Sequence, residues 1–399
     1  PLLLVSATGD WTRDTPICEY PSIKRIYSLF DAEDKVRYVQ VDAGHNYNKE
    51  SREAVYSWFG RWLLGEEDEK LLHERPFKAE SLPELLVFHG VSLPETEINS
   101  EALRGYLISK ATETLKKLGP KYPEGLKEYR EVLGDVFKHA LLARQPQKNE
   151  VEVSVSDQQK ICGIQVRKLT LGRKGVGDKV PALEVKPISE DPEVGTLIVH
   201  EEGKEALLDL EKGEVHPLVN DLVGLGQKVL LIDCFVTGEY LKVKGIMERG
   251  KNSRFFTTYN RTNTAERVQD ILTGITYLSK IVLCDRINIV GLKDAGLWCL
   301  LARGLAERVE SVVVDVNGFN QDDEGEWLQR LYVPLVRRAG GVETAIALAT
   351  PSRLFIHNCR DAFRLDFAAR LYEALGVSKN LRIERNEAAV TEITEWIIK

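Results

Sequence analysis

Hydrophobic and polar positions along the chain alternate between two rhythms, short continuous apolar runs and stripes of helical spacing. The opening run Leu2–Ser6 is apolar without a break, as a strand covered on both faces requires. Cys18–Phe30 then places Ile23, Ile26, Tyr27 and Phe30 at helical spacing, Val36–Val41 reads as a second strand, and Glu50–Leu64 as a helix with Val55, Phe59, Trp62 and Leu63 on one side. Gly65 and the acidic run Glu66–Glu69 close this strand–helix–strand–helix unit.

The segment 66–149 reads as a linker, with a strand-like Leu85–Phe88 and helical stretches at Ser100–Leu118 and Pro123–Ala143 that should pack onto the second domain. From 150 to 399 the pattern is that of one complete domain. Strands are expected at Val151–Val155, Cys162–Leu171, Ala182–Lys186, Thr196–His200, Lys228–Asp233, Ile287–Val290, Ser311–Val316, Arg353–His357 and Leu381–Glu384. Helical patterns such as Glu266–Lys280 and Leu297–Arg308 separate most of the later ones. Antiparallel-looking strands followed by β/α alternation predict an α/β fold, a doubly wound and mostly parallel sheet.

A weak repeat links the two parts. Leu3–Asp10 lines up with Leu354–Asp361, Val36-Arg37-Tyr38 with Leu381-Arg382-Ile383, and each copy ends in a helix carrying a tryptophan, Trp62 and Trp396. The expectation is a tandem in which only the tail of the first copy lies within this chain. The first residue, Pro1, already sits at the edge of a strand, and Met247 is the only methionine, which reads as a truncated product lacking a front half.

Composition narrows the partners. A length of 399 residues calls for two folding units, and a net charge of −7 argues against a nucleic-acid partner. The basic loop Lys242–Arg254 reads as solvated surface. No run approaches the roughly 20 apolar residues of a membrane span. The six cysteines, Cys18, Cys162, Cys234, Cys284, Cys299 and Cys359, form no CxxC pair and no metal spacing, so free thiols are expected, with no metal and no cofactor. Asn260-Arg261-Thr262 is a glycosylation sequon of little weight, Gly340-Gly341 a turn, and Asp322-Asp323-Glu324 a helix start.

The candidate chemistry lies at two strand ends. Asp10 follows the first strand in Ala7-Thr8-Gly9-Asp10-Trp11-Thr12, and His45 follows the second in Asp42-Ala43-Gly44-His45-Asn46. A carboxylate after a late strand and a histidine after the last one are the acid and base of a Ser…Asp…His triad. His45 would move the proton of a serine hydroxyl, and Asp10 would hold the imidazole tautomer. The plainer alternative makes Asp10 a helix cap and His45 a loop residue. Asp42 and Asp14 are the weaker candidates for the acid.

The second domain lacks the equivalent set. A nucleophile elbow needs small residues two positions either side of the nucleophile. In Gly291-Leu292-Lys293-Asp294-Ala295-Gly296 only Lys293 meets that condition, since Asp294 would put Leu292 where a small residue belongs. No G-x-S-x-G occurs in the chain. Asp361 sits in the register of Asp10, no histidine follows His357, and the loop after Leu381–Glu384 runs straight into the last helix. His357 reads as a packed histidine. His200-Glu201-Glu202-Gly203-Lys204 occupies the place of an oxyanion loop. Lys293, Asp361 and His200 are therefore vestigial positions.

Ser6-Ala7-Thr8-Gly9-Asp10-Trp11-Thr12 and Gly44-His45-Asn46-Tyr47-Asn48 resemble the C-terminal end of bacterial acetyl xylan esterase-like α/β hydrolases, which overlap dienelactone-hydrolase and prolyl-oligopeptidase-type sequences. Leu230–Cys234, Thr258–Thr262 and Val290–Leu292 with Gly296–Trp298 look like a degenerate second copy. The resemblance implies carboxylic-ester hydrolysis of a small-molecule or polysaccharide substrate, often with export, by a full-length enzyme whose serine lies upstream of this chain. The alternative is a non-catalytic pseudo-hydrolase that binds carbohydrate or a partner.

Overall fold

The computed structural model describes all residues except 69, 71, 120–123, 189–191 and 243–255, so the basic loop lies outside the described residues apart from Lys242. The chain divides into two compact units, Pro1–Glu97 and Ile98–Lys399.

In the first unit, β1 (Leu2–Gly9) and β2 (Val36–Gly44) pair in parallel around α1 (Glu19–Ser28), and α2 (Lys49–Phe59) follows. Parallel strands need a crossover, and α1 supplies it. Asn48 caps α2 by accepting the Ser51 amide at 3.0 Å. The expected strand at Leu85–Phe88 is absent. Leu85 instead ends the short helix α3 (Leu82–Leu85), and Val87 onward is turn. The local chemistry decides this, because Glu84 Oε2 accepts both the Ser81 amide (2.9 Å) and the Ser81 hydroxyl (2.5 Å) in a capping box.

In the second unit, α4 (Ser100–Leu118) buries no residue outright, whereas α5 (Gly125–Leu141) buries Leu126, Tyr129, Leu133, Phe137 and Leu141 on one stripe. Tyr129 and Arg130 fix α5 to the body, through Thr344 Oγ1 at 2.9 Å and the Ala347 carbonyl at 2.9 Å.

The sheet of this unit is built from β3 (Val151–Ile161), β4 (Ile164–Arg173), β5 (Val180–Pro187), β6 (Val194–His200), β9 (Lys228–Ile232), β10 (Arg286–Leu292), β11 (Val309–Asp315), β12 (Arg353–His357) and β13 (Leu381–Ile383). A two-residue ladder, β7 (Leu208–Asp209) with β8 (Glu214–Val215), lies between β6 and β9 in the chain. The nine-stranded order is β13-β12-β11-β10-β6-β9-β5-β4-β3. Strands β3, β4 and β5 run antiparallel, and the block from β9 to β13 is parallel. The strands expected in this unit therefore all form, and the sheet is mixed but mostly parallel.

Helices cover both faces: α6 (Pro217–Gly224), the short α7 (Phe256–Tyr259), α8 (Asn263–Thr276), α9 (Ala295–Arg303), α10 (Glu324–Arg330), α11 (Gly341–Ala349), α12 (Asp366–Ala374) and α13 (Val390–Ile398). Successive strand residues go to opposite cores, as a pleat demands. Leu197, Val199, Leu230 and Ile232 join one cluster, while Ile198, Val229 and Leu231 join the other. Because both faces are covered, the parallel strands carry no polar face, which gives the sequence its apolar runs. Helix α11 is hidden in the sequence for a related reason: seven of its nine residues are buried, Val342, Ala345, Ile346 and Ala349 among them, and Glu343 is its one charged residue. Asp323 caps α10 by accepting the Gly325 amide at 2.7 Å, which fits the acidic helix start. The sequon threonine, Thr262, caps α8.

All six cysteines are free; Cys18 and Cys162 are exposed and the other four buried. Among the described residues, no helix is long and apolar enough to cross a membrane.

Candidate active site

In the first unit Asp10 and His45 meet. The register ends with Gly9 opposite Gly44, and a Cβ on Gly9 would stand 3.0 Å from the Ala43 carbonyl oxygen. Glycine at that point lets the two loops approach closely. His45 Nδ1 then lies 3.0 Å from Asp10 Oδ2. Asp10 is held in turn by the Trp11 amide on Oδ1 (2.7 Å) and the Thr12 hydroxyl on Oδ2 (3.2 Å). The hydrogen bond to His45 does most to hold the Asp10 carboxyl below its ordinary value; burial opposes it, and the Trp11 amide and Thr12 hydroxyl add to it.

The acid is 11% exposed and the imidazole 81%, so the ring is gripped at Nδ1 and its other edge faces outward. Such an arrangement can hold a base in one tautomer and present Nε2 to a reacting hydroxyl. The rival carboxylates are engaged elsewhere, Asp42 with the Thr8 hydroxyl at 2.5 Å and Asp14 beside Arg13 at 3.7 Å.

In the second unit, the tips of the parallel strands gather a different set. His200 ends β6, Asp315 ends β11, His357 ends β12, and Lys293 follows β10 at the turn into α9. Lys293 has φ 55°, a left-handed conformation that costs any residue with a Cβ. The turn is tight on both sides. A Cβ on Gly291 would come within 2.5 Å of Gly296 Cα, and one on Gly296 would overlap the Asp315 carbonyl oxygen. A strained residue between a strand and a helix, flanked by small ones, has the geometry of a nucleophile elbow. Asp294, the other residue weighed for this position, is tied down by Arg330 Nη2 at 2.5 Å and Asn317 Nδ2 at 2.9 Å.

The loop after β13 does not run straight into the last helix. Arg385–Ala389 intervenes, and Glu387 on it brings Oε1 to 3.5 Å from Lys293 Nζ. Asp361 points elsewhere, 86% exposed and paired with Arg385 at 2.6 Å. Leu2 faces Val36 in the first unit, whereas Leu354 faces Leu381 in the second, so the two aligned segments differ in register by one position.

The loop after β6 is locked from below. Asp233, fully buried, accepts the Lys204 amide at 2.7 Å and pairs with Lys204 Nζ at 2.5 Å, and Glu239 joins Lys204 Nζ at 2.6 Å. Gly203, at φ 98°, fits over Asp233 only because it has no side chain.

No family model matches the sequence, and no curated protein matches it. Solved structures do. One from Bacteroides fragilis, assigned as an acetyl xylan esterase, is 14% identical with a TM-score of 0.54, over 73% of this chain and 84% of that one. A methylesterase is 16% identical with a TM-score of 0.51, over 72% of this chain and 66% of the other, just under two thirds of its length. This is an α/β-hydrolase fold.

In the second unit, Lys293 stands at the turn between β10 and α9, and Glu387 on the loop after β13, the last strand. The sequence singled out Lys293 and His200 but not Glu387, because a search for a histidine passes over a glutamate. His216, which caps α6 through the Leu218 amide at 3.2 Å, carried no motif at all. Among the described residues, no group of His, Cys, Asp and Glu is arranged to hold a metal ion.

Proposed function

We propose that this chain is part of a serine carboxylesterase of the acetyl xylan esterase-like kind, with Asp10 as the acid and His45 as the base. The nucleophilic serine is assigned to a segment upstream of Pro1. The observation that carries this reading is the 3.0 Å contact between His45 Nδ1 and Asp10 Oδ2, made from the tips of two adjacent parallel strands. His45 Nε2 takes the serine proton as the hydroxyl attacks the ester carbonyl, and returns it to the departing alcohol. Water then attacks the acyl-enzyme by the same route, while Asp10 stabilises the protonated ring. The solved esterases that share the fold support ester chemistry, with a small-molecule or polysaccharide ester as substrate.

Residues 150–399 fit a different reading, a pseudo-hydrolase domain that binds rather than cleaves. Lys293 in the elbow favours it, since the position that would carry the serine holds an amine paired with a carboxylate.

The test uses the protein with its upstream coding sequence. A fluorophosphonate probe is expected to label one serine outside residues 1–399. His45→Ala should lower p-nitrophenyl acetate hydrolysis by at least about a thousandfold. Unlabelled protein, or activity indifferent to His45, removes the assignment. The present chain alone should show no turnover; hydrolysis by it that vanishes in His45→Ala would also contradict the reading.

A further inference from the structure

A cavity of about 150 Å³ opens at the strand tips of the second unit, bounded by His200, His216, Lys293, Asp315, His357 and Glu387. Three histidines in one cavity could serve as metal ligands, proton carriers or hydrogen-bond donors. Their tautomers decide between these roles, and the backbone fixes the tautomers.

Each ring accepts an amide proton at Nδ1. The donors are Glu202 N to His200 (3.2 Å), Leu218 N to His216 (3.2 Å) and Ala388 N to His357 (3.3 Å). A neutral imidazole that accepts at Nδ1 carries its proton on Nε2. All three rings are therefore N–H donors toward whatever they meet, and none offers a free lone pair to a metal. Burial favours the neutral form in each; at His200 the Glu202 and Asp315 carboxylates oppose it, while Lys293 and His216 add to it. His357 is only 1% exposed, and its Nε2–H has no hydrogen-bond partner among the described residues.

The carboxylates in the cavity are not equivalent. Asp315 is spent: Oδ1 accepts the Asn317 amide (2.7 Å) and Asn358 Nδ2 (2.9 Å), and Oδ2 accepts the Lys293 amide (3.0 Å). Among the described residues, Glu387 is the one acidic lining group that pairs with Lys293 Nζ, at 3.5 Å, with its own side chain 60% exposed. An exposed pair of that kind is weak and easily displaced. The rest of the wall is aliphatic, with Leu207, Leu218, Leu292, Val390 and Ile393.

We propose that this cavity binds a short-chain aliphatic carboxylate, whose oxygens meet the Lys293 ammonium and the Nε2–H donors of His200 and His216 and whose alkyl end lies on the leucine, valine and isoleucine wall. Glu387 holds the ammonium when the ligand is away and competes with it. The site is independent of Asp10 and His45, so its failure leaves the esterase reading untouched, and the reverse.

The probes are acetate, propionate and butyrate, titrated into this chain by calorimetry, with inorganic phosphate as a control. Propionate or butyrate is expected to bind more tightly than acetate, and phosphate not to bind. Lys293→Met should weaken binding by about tenfold or more, about 1.4 kcal/mol, while Glu387→Gln tightens it severalfold. A merely structural role for the pair would not move the two variants in opposite directions. Absence of binding by all three acids overturns the proposal. So does phosphate binding as tightly as butyrate, or binding unaltered in both variants when each retains the wild-type melting temperature.

Discussion

Lys293 stands at φ 55° between β10 and α9, and its ammonium reaches Glu387 Oε1 at 3.5 Å across the strand tips. The backbone there keeps the strain of an elbow, and the pairing at its apex is between half-exposed groups that contribute at most about 1 kcal/mol. Strain kept at such a point is not offset by local contacts.

Lys293→Gly is therefore expected to stabilise the chain by up to about 1 kcal/mol, because glycine adopts the left-handed conformation without the Cβ penalty. Lys293→Ala, which keeps the penalty, should not. Paired thermal denaturation curves distinguish the two, and a lower melting temperature for the glycine variant contradicts the strain.

The glycines flanking the elbow should respond in the opposite sense. A methyl on Gly296 overlaps the Asp315 carbonyl, which is backbone and cannot rotate away. Gly296→Ala should destabilise by about 1–3 kcal/mol, in the range of core overpacking. Chemical denaturation with an unchanged slope is the measurement.

Under the β6 loop, Lys204 and Asp233 form an ion pair with side chains 6% and 1% exposed. Lys204→Met leaves a buried carboxylate without its partner, an expected loss of about 3–5 kcal/mol. Replacing Lys212, whose side chain is 68% exposed and pairs with Asp209 at 2.9 Å, should leave stability nearly unchanged. Urea denaturation of the two variants beside the wild type measures both.

The Asp10 carboxyl is held below the ordinary aspartate value, chiefly by His45. A depressed acid contributes its contact fully above the unfolded value and loses it as pH falls through the lower folded one. Carbon-13 titration of Asp10 should therefore show a midpoint below that of an ordinary aspartate, moving up in His45→Ala, and an unmoved midpoint would separate the two side chains in solution.

The strands of the second unit were legible because a parallel sheet covered on both faces leaves a continuous apolar signature, and Lys228–Ile232 or Arg353–His357 can hardly be read otherwise. Helices buried on every side, such as α11, lose the stripe that periodicity needs, and short runs such as Leu85–Phe88 are settled by caps rather than by hydrophobicity. Asp10, His45 and Lys293 could be picked out as candidates because they stand at strand ends or between small flanking residues. His216, Asp315 and Glu387 could not. Their meeting depends on how four strand tips and two loops converge, and no local spacing encodes that.

The outer strands of the sheet close it to newcomers. On one rim β13 is three residues long; on the other, β3 carries Glu152, Asp157 and Lys160 and shifts register between Val155 and Asp157. A bent, charged border and a stub give an incoming strand little to lie along. The second unit should thus resist edge-to-edge fibre growth through this sheet, even though its interior is rich in the valine, leucine and isoleucine runs from which fibres are made.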